Sequence, residues 1–472
     1  MLPGTYPDMA NIERVDKGAI PMLLHMQRVG IEVDLNHFAL MEKELKGDME
    51  RVTAAVYDLT GYHVNLGSGD QVANLLFQKL SLKQAKRKLT PTEARESVED
   101  EVLVRIQHQH PVVGLCLEYK EYEKLLGTYV EPIPKLARRT RFGVWRIYPR
   151  FKHTRVPSGR FSCADPNLLA MPNRTAKARR VQQGYRAGKG KVLVSVDESQ
   201  IEVRLAAHRS RDPNLCRIYH NEEDVYSDFA IAAFKLRDQR YRDKSGWHYP
   251  TVDKKAHRFP SKTCVLSAIY DITAGGLQEK MPVVCATCNK PALCPICEQG
   301  RKEPHTCIKH DCIRFRAFWT EDRCQDQLNA FYQRYSGLLQ MRQRDYQQLR
   351  ESAEICDMWG RHLLVQGVRS VVARVVAKSL REGGNFPMQS GAAGTFKLTM
   401  AIVHDDFEEM YKAGLVWPLL PVHDELMFEV DEQYAEEVGE HVKHRFETCC
   451  RLEVPIKAEY TTAPTWGDLK AA

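Results

Sequence analysis

The stretch KVLVSVDESQIEVR, residues 191–204, joins an apolar run, a carboxylate and the start of an amphipathic segment. The β-branched run at residues 192–196 predicts a short buried strand, and residues 201–208 have the period of a helix. Asp197 therefore stands where an apolar strand stops. Because turns and helix caps favour Asp in any case, this residue alone does not predict chemistry.

A second carboxylate stands at a comparable place near the other end of the chain. Residues 419–430, LLPVHDELMFEV, predict two strands that meet at a tight turn containing Asp424 and Glu425. A sheet that buries these strands can hold Asp197 and Asp424 at one edge. Two carboxylates so placed can bind divalent cations that stabilise the attacking and leaving oxygens of phosphoryl transfer.

A third pattern lies on one predicted helix. Arg258, Lys262, Leu266 and Tyr270 are spaced by four, so they share one helix face. Two cations followed by an aromatic ring suit a triphosphate with its sugar or base. An amphipathic surface helix that carries two cations explains the same residues, and the spacing alone favours that simpler interpretation.

Composition and charge limit the class of protein. At 472 residues the chain has the length of about three domains, with 43% apolar and 27% charged residues, as in ordinary globular proteins. We find no apolar run long enough to cross a membrane and no secretory signal. Residues 135–191 hold sixteen Lys or Arg against the single acid Asp165, which indicates an anionic polymer partner or a solvated basic surface.

Six of the fourteen cysteines fall within residues 285–312. Without an export signal, this spacing predicts metal ligation rather than disulfides, although a thiol-rich loop could arise by chance. The segment offers enough ligands for one or two structural zinc ions, and the pairing stays open. The candidate zinc ligands are Cys285, Cys288, Cys294, Cys297, His305, Cys307, His310 and Cys312.

Six stretches, in order, resemble motifs of the family-A DNA polymerases, the DNA polymerase I group. DESQIEVR (197–204) resembles the first catalytic motif, RFPSKTCVLSAIY (258–270) the nucleotide-binding helix and VHDE (422–425) the third motif. SGRFS (158–162) with DPNL (165–168) is similar to the primer-template segment. NFPMQ (385–389) is similar to a template-side stretch, and EYK (118–120) through TY (128–129) to the end of the thumb.

The resemblance implies an α+β fold of the right-hand polymerase type, with an antiparallel palm sheet, helical fingers and a helical thumb. It places the palm at residues 1–35, 133–214 and 371–472, and the thumb at 36–132. It places the fingers at 215–370, with a zinc-binding insertion at 281–314. The implied activity is template-directed DNA synthesis from dNTPs in DNA replication.

The resemblance also implies roles for single residues. Asp197 and Asp424 would bind two Mg²⁺ ions, supported by Glu425, and Lys262 would hold the triphosphate and protonate the leaving pyrophosphate. Arg258 would contact the terminal phosphates. Glu202 would exclude a ribose 2′-hydroxyl, with Tyr270 and Leu266 beside the sugar. The expected DNA contacts are Arg160, Asn167, Lys124, Gln389, Asn385 and His423.

The chain departs from the family pattern at four positions. Glu198 and Leu266 replace aromatic residues, Asp271 replaces a glycine, and Ala170 replaces an asparagine. The resemblance starts near residue 12, so we expect no exonuclease on this chain and a phage-like, monomeric, cytoplasmic enzyme of a bacterial or infected cell. A separate exonuclease, helicase or processivity protein would be its partner, and we expect the cysteine-rich insertion to contact the single-stranded template or a replication partner.

Two rival functions stay open on the residues alone. One is a single-subunit RNA polymerase or reverse transcriptase, although Glu202 argues against ribonucleotide substrates. The other is a non-catalytic, zinc-dependent DNA-binding protein on a polymerase scaffold, although Asp197, Lys262 and Asp424 are all in place.

Overall fold

The computed structural model describes residues 9–83, 97–172, 175–281, 284–285, 315–316 and 319–469. The N-terminal part is mostly helical. Its longest helix starts at Asp34, whose carboxylate accepts the backbone N–H groups of Asn36 and His37, and stops at Gly61 in a left-handed conformation. The elements of this part are α1 Met9–Gly18, α2 Ile20–Val29, β1 Ile31–Val33, α3 Leu35–Thr60, α4 Gly69–Ala73, α5 Asp100–Ile106, α6 Pro111–Lys124 and α7 Pro132–Leu136.

Short strands then lead into the first strand of the central sheet. These elements are β2 Arg138–Arg139, β3 Trp145–Ile147, β4 Arg150–Lys152, β5 Ser162–Ala164, α8 Ala176–Gln183, β6 Tyr185–Arg186 and β7 Lys191–Glu198. Strands β2, β3, β1 and β6 form one antiparallel sheet in that order, and β4 pairs with β5.

A second helical part follows β7. Its elements are α9 Ile201–Ser210, α10 Pro213–His220, α11 Val225–Ala233, β8 Tyr241–Asp243, β9 Gly246–His248, α12 Phe259–Ile269, α13 Ala274–Lys280, β10 Val284–Cys285, β11 Phe315–Arg316, α14 Glu321–Arg334, α15 Ser336–Ser352, β12 Glu354–Cys356 and β13 His362–Leu364. These helices share an aromatic core that includes Phe229, Phe331 and Tyr335. The buried Asp228 lies beside that core and receives a hydrogen bond from the Tyr335 hydroxyl.

The last part completes the central sheet. Its elements are α16 Ala373–Asp406, α17 Glu408–Lys412, β14 Val416–Val422, β15 Glu425–Asp431, α18 Ala435–Thr448, β16 Ala458–Ala463 and α19 Trp466–Leu469. The sheet has the antiparallel order β14-β15-β7-β16. Leu193, Val194, Val196, Leu426 and Phe428 are fully buried, so the middle strands are anchored in the main core.

Several predicted elements are confirmed, and others differ in extent. The strand at 192–196 and the hairpin at 419–430 are present. The apolar period over residues 12–33 predicts a helix, but strand β1 begins at Ile31. The pattern of residues 224–277 predicts helices interrupted near residues 249–250, and the β8–β9 hairpin ends at His248. The apolar run at 452–460 predicts a strand, which begins only at Ala458. In the part of the chain that the structure describes, every helix is too short or too polar to cross a bilayer.

Helix α16 is the largest difference. The patterns of residues 372–380 and 394–411 predict two separate helices, which is wrong, because one 34-residue helix runs from Ala373 to Asp406 and contains Pro387. Tight packing explains why a Gly- and Pro-containing stretch stays helical. A Cβ atom at Gly383 would lie 2.7 Å from Leu349 Cδ1, so only glycine lets α15 approach so closely.

Candidate active site

The two predicted carboxylates meet at one end of the central sheet. Glu425 is the Cα partner of Asp197 in the β15–β7 ladder, and the Glu198 N–H donates to the Asp424 carbonyl oxygen at 3.1 Å. Side chains alternate along β7, so Val196 and Glu198 are buried while Asp197 is exposed. Asp424 lies in the turn after β14, next to His423, which has a φ of 62°. The strand register therefore brings both acids to the same edge.

Asp197 and Asp424 line one cavity of about 690 Å³. The lining also includes Asp100 of α5, Lys120, Glu121 and Lys124 of α6, and Tyr129 after it. The Tyr129 hydroxyl donates to the Ala170 carbonyl oxygen at 2.8 Å, which ties this part of the lining to the segment that precedes α8. The cavity therefore has both carboxylates and lysines in its lining.

The electrostatics of Asp424 suit a cation. Burial raises the pKa of Asp424, and the nearby Glu202 carboxylate adds to the effect, while His423 and Arg160 oppose it. Among the described residues there is no group of three or more His, Cys, Asp or Glu side chains arranged to hold an ion. Two carboxylates suit Mg²⁺, which keeps several waters and takes further oxygens from substrate phosphates.

Glu425 differs in its surroundings from the other two acids. Its side chain is almost fully buried and accepts a hydrogen bond from the Ser195 hydroxyl, on the neighbouring strand. This contact holds Glu425 at the base of the site. The supporting role implied for Glu425 stays a prediction.

A second group of side chains adjoins the acids. Arg160 donates to the Glu202 carboxylate. Tyr270 is hydrogen-bonded with both Glu202 and Gln389, and burial, together with the Glu202 charge, raises the pKa of the Tyr270 phenol. Asn385 Nδ2 donates to the Tyr270 carbonyl oxygen at 3.1 Å. These five residues, from four separate stretches of sequence, form one polar wall beside Asp424.

Helix α12 carries the predicted cations. Arg258 precedes the helix and Tyr270 follows it, and Arg258, Lys262, Leu266 and Tyr270 are all less buried than most residues between them. This confirms a shared accessible face. Leu266 packs against the edge of the second core, so it presents an aliphatic surface where an aromatic ring was usual.

Two neighbours of this face were missed in the sequence. Asp224 accepts hydrogen bonds from Arg258 Nε at 2.8 Å and from Nη2 at 3.0 Å. The Tyr226 ring centroid lies 5.2 Å from the Arg258 guanidinium and 5.6 Å from Lys262 Nζ. The only available signal was the helix-capping sequence DVYS at 224–227, which is common at helix starts.

Three further residues that were predicted to contact DNA are exposed. His423 is exposed in the turn beside Asp424, Lys124 is exposed on the cavity wall, and Asn167 is exposed before a short 3₁₀ turn. Of the predicted zinc ligands, Cys285 lies in β10, where its backbone pairs with Phe315. Cys288, Cys294, Cys297, His305, Cys307, His310 and Cys312 lie outside the described residues.

The chain is similar to known proteins over nearly its whole length. The family model for DNA polymerase family A matches residues 35–292 and 312–468. Thermostable DNA polymerase I of Thermus filiformis is 29% identical over 97% of this chain and 48% of that protein, and DNA polymerase I of Pseudomonas aeruginosa is 27% identical over 98% of this chain and 45% of that protein. The chain thus spans about half the length of these curated relatives.

A solved structure is similar over nearly the whole chain. It is the polymerase domain of Pol1 from M. smegmatis in complex with a DNA primer-template and dNTP. The TM-score is 0.79 and the identity 25%, over 98% of this chain and 72% of that one.

Proposed function

The chain belongs to DNA polymerase family A, and from this premise we propose that it catalyses template-directed addition of deoxynucleotides to a primer 3′ end. Its fold is the α+β right-hand polymerase fold. The observation that carries the proposal is the convergence of Asp197 and Asp424 on one cavity, beside the wall formed by Tyr270, Glu202 and Gln389.

We assign the domains as the sequence predicts them. The palm comprises residues 1–35, 133–214 and 371–472, the thumb 36–132 and the fingers 215–370. The central sheet β14-β15-β7-β16 lies within the palm segments. Lys124 then belongs to the thumb and lines the same cavity as the palm acids, where a primer-template duplex would lie.

Asp197 and Asp424 are the residues that would hold Mg²⁺. Bound there, the ions would neutralise charge on the attacking and leaving oxygens. The chain's own residues position the reactants for in-line attack of the primer 3′-oxygen on the α-phosphate, with pyrophosphate leaving. Lys262 pairs with the triphosphate and gives a proton to the leaving pyrophosphate. Arg258 binds the terminal phosphates after exchanging its contact with Asp224.

The polar wall selects the sugar. Glu202 lies between Arg160 and Tyr270, so its carboxylate is held in place from two sides. A ribose 2′-hydroxyl directed at this wall would displace a satisfied hydrogen bond, which favours deoxynucleotides. Arg160, Asn167, Gln389, Asn385 and His423 contact primer or template, with phosphate contacts giving affinity for any sequence.

We also assign a structural zinc site to the cysteine-rich insertion. The family match is interrupted at residues 293–311, which contain five of the eight candidate ligands. Strands β10 and β11 pair Cys285 with Phe315, which brings the two ends of the cysteine-rich insertion together. A closed four-ligand site would stabilise such an insertion without taking part in the chemistry.

Templated primer extension tests the proposal. Purified protein with Mg²⁺, dNTPs and a labelled primer-template should extend the primer according to the template. Asp424→Asn should abolish extension while DNA binding survives, and Asp58→Asn, at an exposed thumb position, should behave as the unaltered protein. DNA binding without any extension by the unaltered protein would instead support the non-catalytic alternative.

A further inference from the structure

The backbone that follows Tyr270 is held by a side-chain contact from another helix. Asp271 has a φ of 53°, in the left-handed region that favours glycine. The Tyr346 hydroxyl, on α15, donates to the Asp271 carboxylate. Aspartate in such a conformation costs free energy relative to glycine, and the hydrogen bond from Tyr346 offsets part of that cost.

A second set of contacts holds the same stretch of backbone. Arg342, also on α15, donates to the Ile269 carbonyl oxygen and to Asn385 Oδ1, the latter at 3.1 Å. Asn385 Nδ2 in turn donates to the Tyr270 carbonyl oxygen. Residues 269–271, the end of α12, are therefore each tied to α15 or α16.

A glycine in α16 makes these contacts sterically possible. A Cβ atom at Gly384 would lie 2.5 Å from Arg342 Nη1 and 2.9 Å from Tyr346 Cε1. Any larger residue would push both side chains away from the end of α12. Asp271, with its left-handed backbone, and Gly384, within α16, thus both serve the contact between the end of α12 and α15.

The anchor has a consequence for the ring of Tyr270. The phenol is hydrogen-bonded with Glu202 and Gln389, so a shift of its backbone would move the ring off Glu202. The ring and Glu202 form the wall that we assign to sugar selection. The Tyr270 ring can keep a precise position in that wall only if the backbone of Tyr270 is held as well as its side chain.

We infer that Asp271 and Tyr346 are positioning residues that hold Tyr270 against Glu202 and so set the preference for deoxynucleotides over ribonucleotides. The inference rests on the proposed function, because it needs a polymerase whose sugar selection can be measured. It assigns a role to a residue, Asp271, at which this chain departs from the glycine usual in the family.

Three variants separate the contact from general stability. Tyr346→Phe removes only the donor, Asp271→Gly removes the acceptor and relieves the left-handed backbone, and Asp271→Asn keeps an acceptor oxygen and tolerates the conformation. Tyr122→Phe is the matched control, because the Tyr122 hydroxyl donates to Glu118 within α6, away from α12.

The readouts are amide hydrogen exchange and sugar selection. The N–H groups of Tyr270, Asp271 and Ile272 donate to backbone carbonyls at the end of α12, and their exchange reports on the anchor. Tyr346→Phe and Asp271→Gly should each speed this exchange and lower the ratio of dNTP to rNTP insertion efficiency by about tenfold, as expected for loss of a charge-assisted hydrogen bond. Asp271→Asn should restore most of the ratio, and Tyr122→Phe should change neither readout.

Several results would overturn the inference. If exchange became faster while the ratio of dNTP to rNTP insertion stayed the same, the contact would have a structural role only. If Tyr346→Phe left the exchange unchanged, the contact would not hold the end of α12. If the unaltered protein bound DNA but extended no primer, the proposed function would fail and take the selection role with it. That result is distinct from an active enzyme whose variants select sugars normally, which refutes the inference alone.

Discussion

Asp197 and Glu425 lie directly opposite each other across the β7–β15 ladder, which sets Asp424 one residue beyond the paired strands. Both strands are also buried over most of their length, as at Val196 and Leu426. A one-residue slip would turn Asp197 into the core and Glu198 toward the cavity, so the slip is strongly disfavoured. The core packing of the sheet therefore fixes the position of the acids.

Replacing Asp424 should stop catalysis without unfolding the protein. We expect Asp424→Asn to lower the rate of primer extension by about a thousandfold or more, since it removes one of two carboxylates that would bind Mg²⁺. The fold should tolerate the change, because burial raises the pKa of Asp424 and the neutral amide avoids a buried charge. Extension rates and thermal melting without divalent cations provide the measurement. A loss of less than tenfold would contradict the assignment.

Glu198 should make stability fall as the pH rises. The residue is 2% exposed, and neither carboxylate oxygen has a hydrogen-bond partner among the described residues. Burial, with contributions from Cys449, Asp424 and Asp197, raises the pKa of Glu198 well above its usual value. A raised folded-state pKa means that stability declines as the pH climbs from the unfolded value, about 4.3, through the folded one.

Glu198→Gln should remove that decline. We expect it to stabilise the metal-free protein by about 1 kcal/mol or more at about pH 8, and by less at about pH 5, in urea unfolding. Glu436→Gln, at an exposed position of α18, is the control and should show no such pH-dependent gain. An equal effect at both pH values would show that ionisation of Glu198 is not the cause.

Asp228 should contribute stability with the opposite pH dependence. Its fully buried carboxylate accepts hydrogen bonds from Arg217, Arg240 and Arg334. Burial alone would raise the pKa of Asp228, but the hydrogen bonds from Arg334 and Arg240 outweigh it and lower the pKa. The contribution is therefore complete above the unfolded pKa of about 3.9 and is lost as the pH falls through the folded value.

Asp228→Asn should cost about 1–3 kcal/mol of unfolding free energy at neutral pH, because it replaces a buried carboxylate that accepts hydrogen bonds from three partly exposed arginines. Asp238→Asn is the matched control, since Asp238 also pairs with Arg240 but is half exposed, and it should cost under about 1 kcal/mol. Urea unfolding at about pH 7 measures both. Similar losses for the two variants would show that burial does not determine the value of the pair.

The parts of the site that follow from local pattern could be predicted. The strand before Asp197 and the hairpin around Asp424 have apolar runs that burial requires, and the spacing from Arg258 to Tyr270 defines a helix face in any context. These elements are confirmed. Their meeting at one edge needed only the assumption that the strands share a sheet.

The missed features depend on contacts between distant residues. Asp224 meets Arg258 from 34 positions away, and nothing in its neighbourhood distinguishes it from an ordinary helix cap. The continuity of α16 through Pro387 depends on packing at Gly383 against Leu349, which helix propensity alone opposes. The sequence shows that Asp271 differs from the glycine usual in the family, but it does not show that the partner is Tyr346, which lies on another helix.

Freeing Arg258 from Asp224 should strengthen nucleotide binding. In the described structure both carboxylate oxygens of Asp224 are bonded to Arg258, so a phosphate must compete with them. Asp224→Asn keeps the cap that accepts the Ser227 N–H at 3.0 Å but removes the charge. We expect the apparent dissociation constant for dNTP to fall by about threefold to tenfold, because the competing state is weakened. Weaker dNTP binding would indicate that Asp224 helps to position Arg258 instead.

Zinc should be bound to the insertion and should be separable from the Mg²⁺-dependent chemistry. We expect one or two zinc ions per chain by atomic absorption, since eight candidate ligands lie within residues 285–312. The ends of the segment meet at the β10–β11 pair, which is not part of the sheet that positions Asp197 and Asp424. A zinc-selective chelator with excess Mg²⁺ should therefore leave single-nucleotide insertion within about threefold while lowering resistance to proteolysis near residues 286–314.

Cys294→Ser with Cys297→Ser should reproduce both effects, whereas Cys356→Ser, on β12, should leave the zinc content unchanged. Protein without zinc, or complete loss of insertion on chelation despite excess Mg²⁺, would contradict a purely structural site.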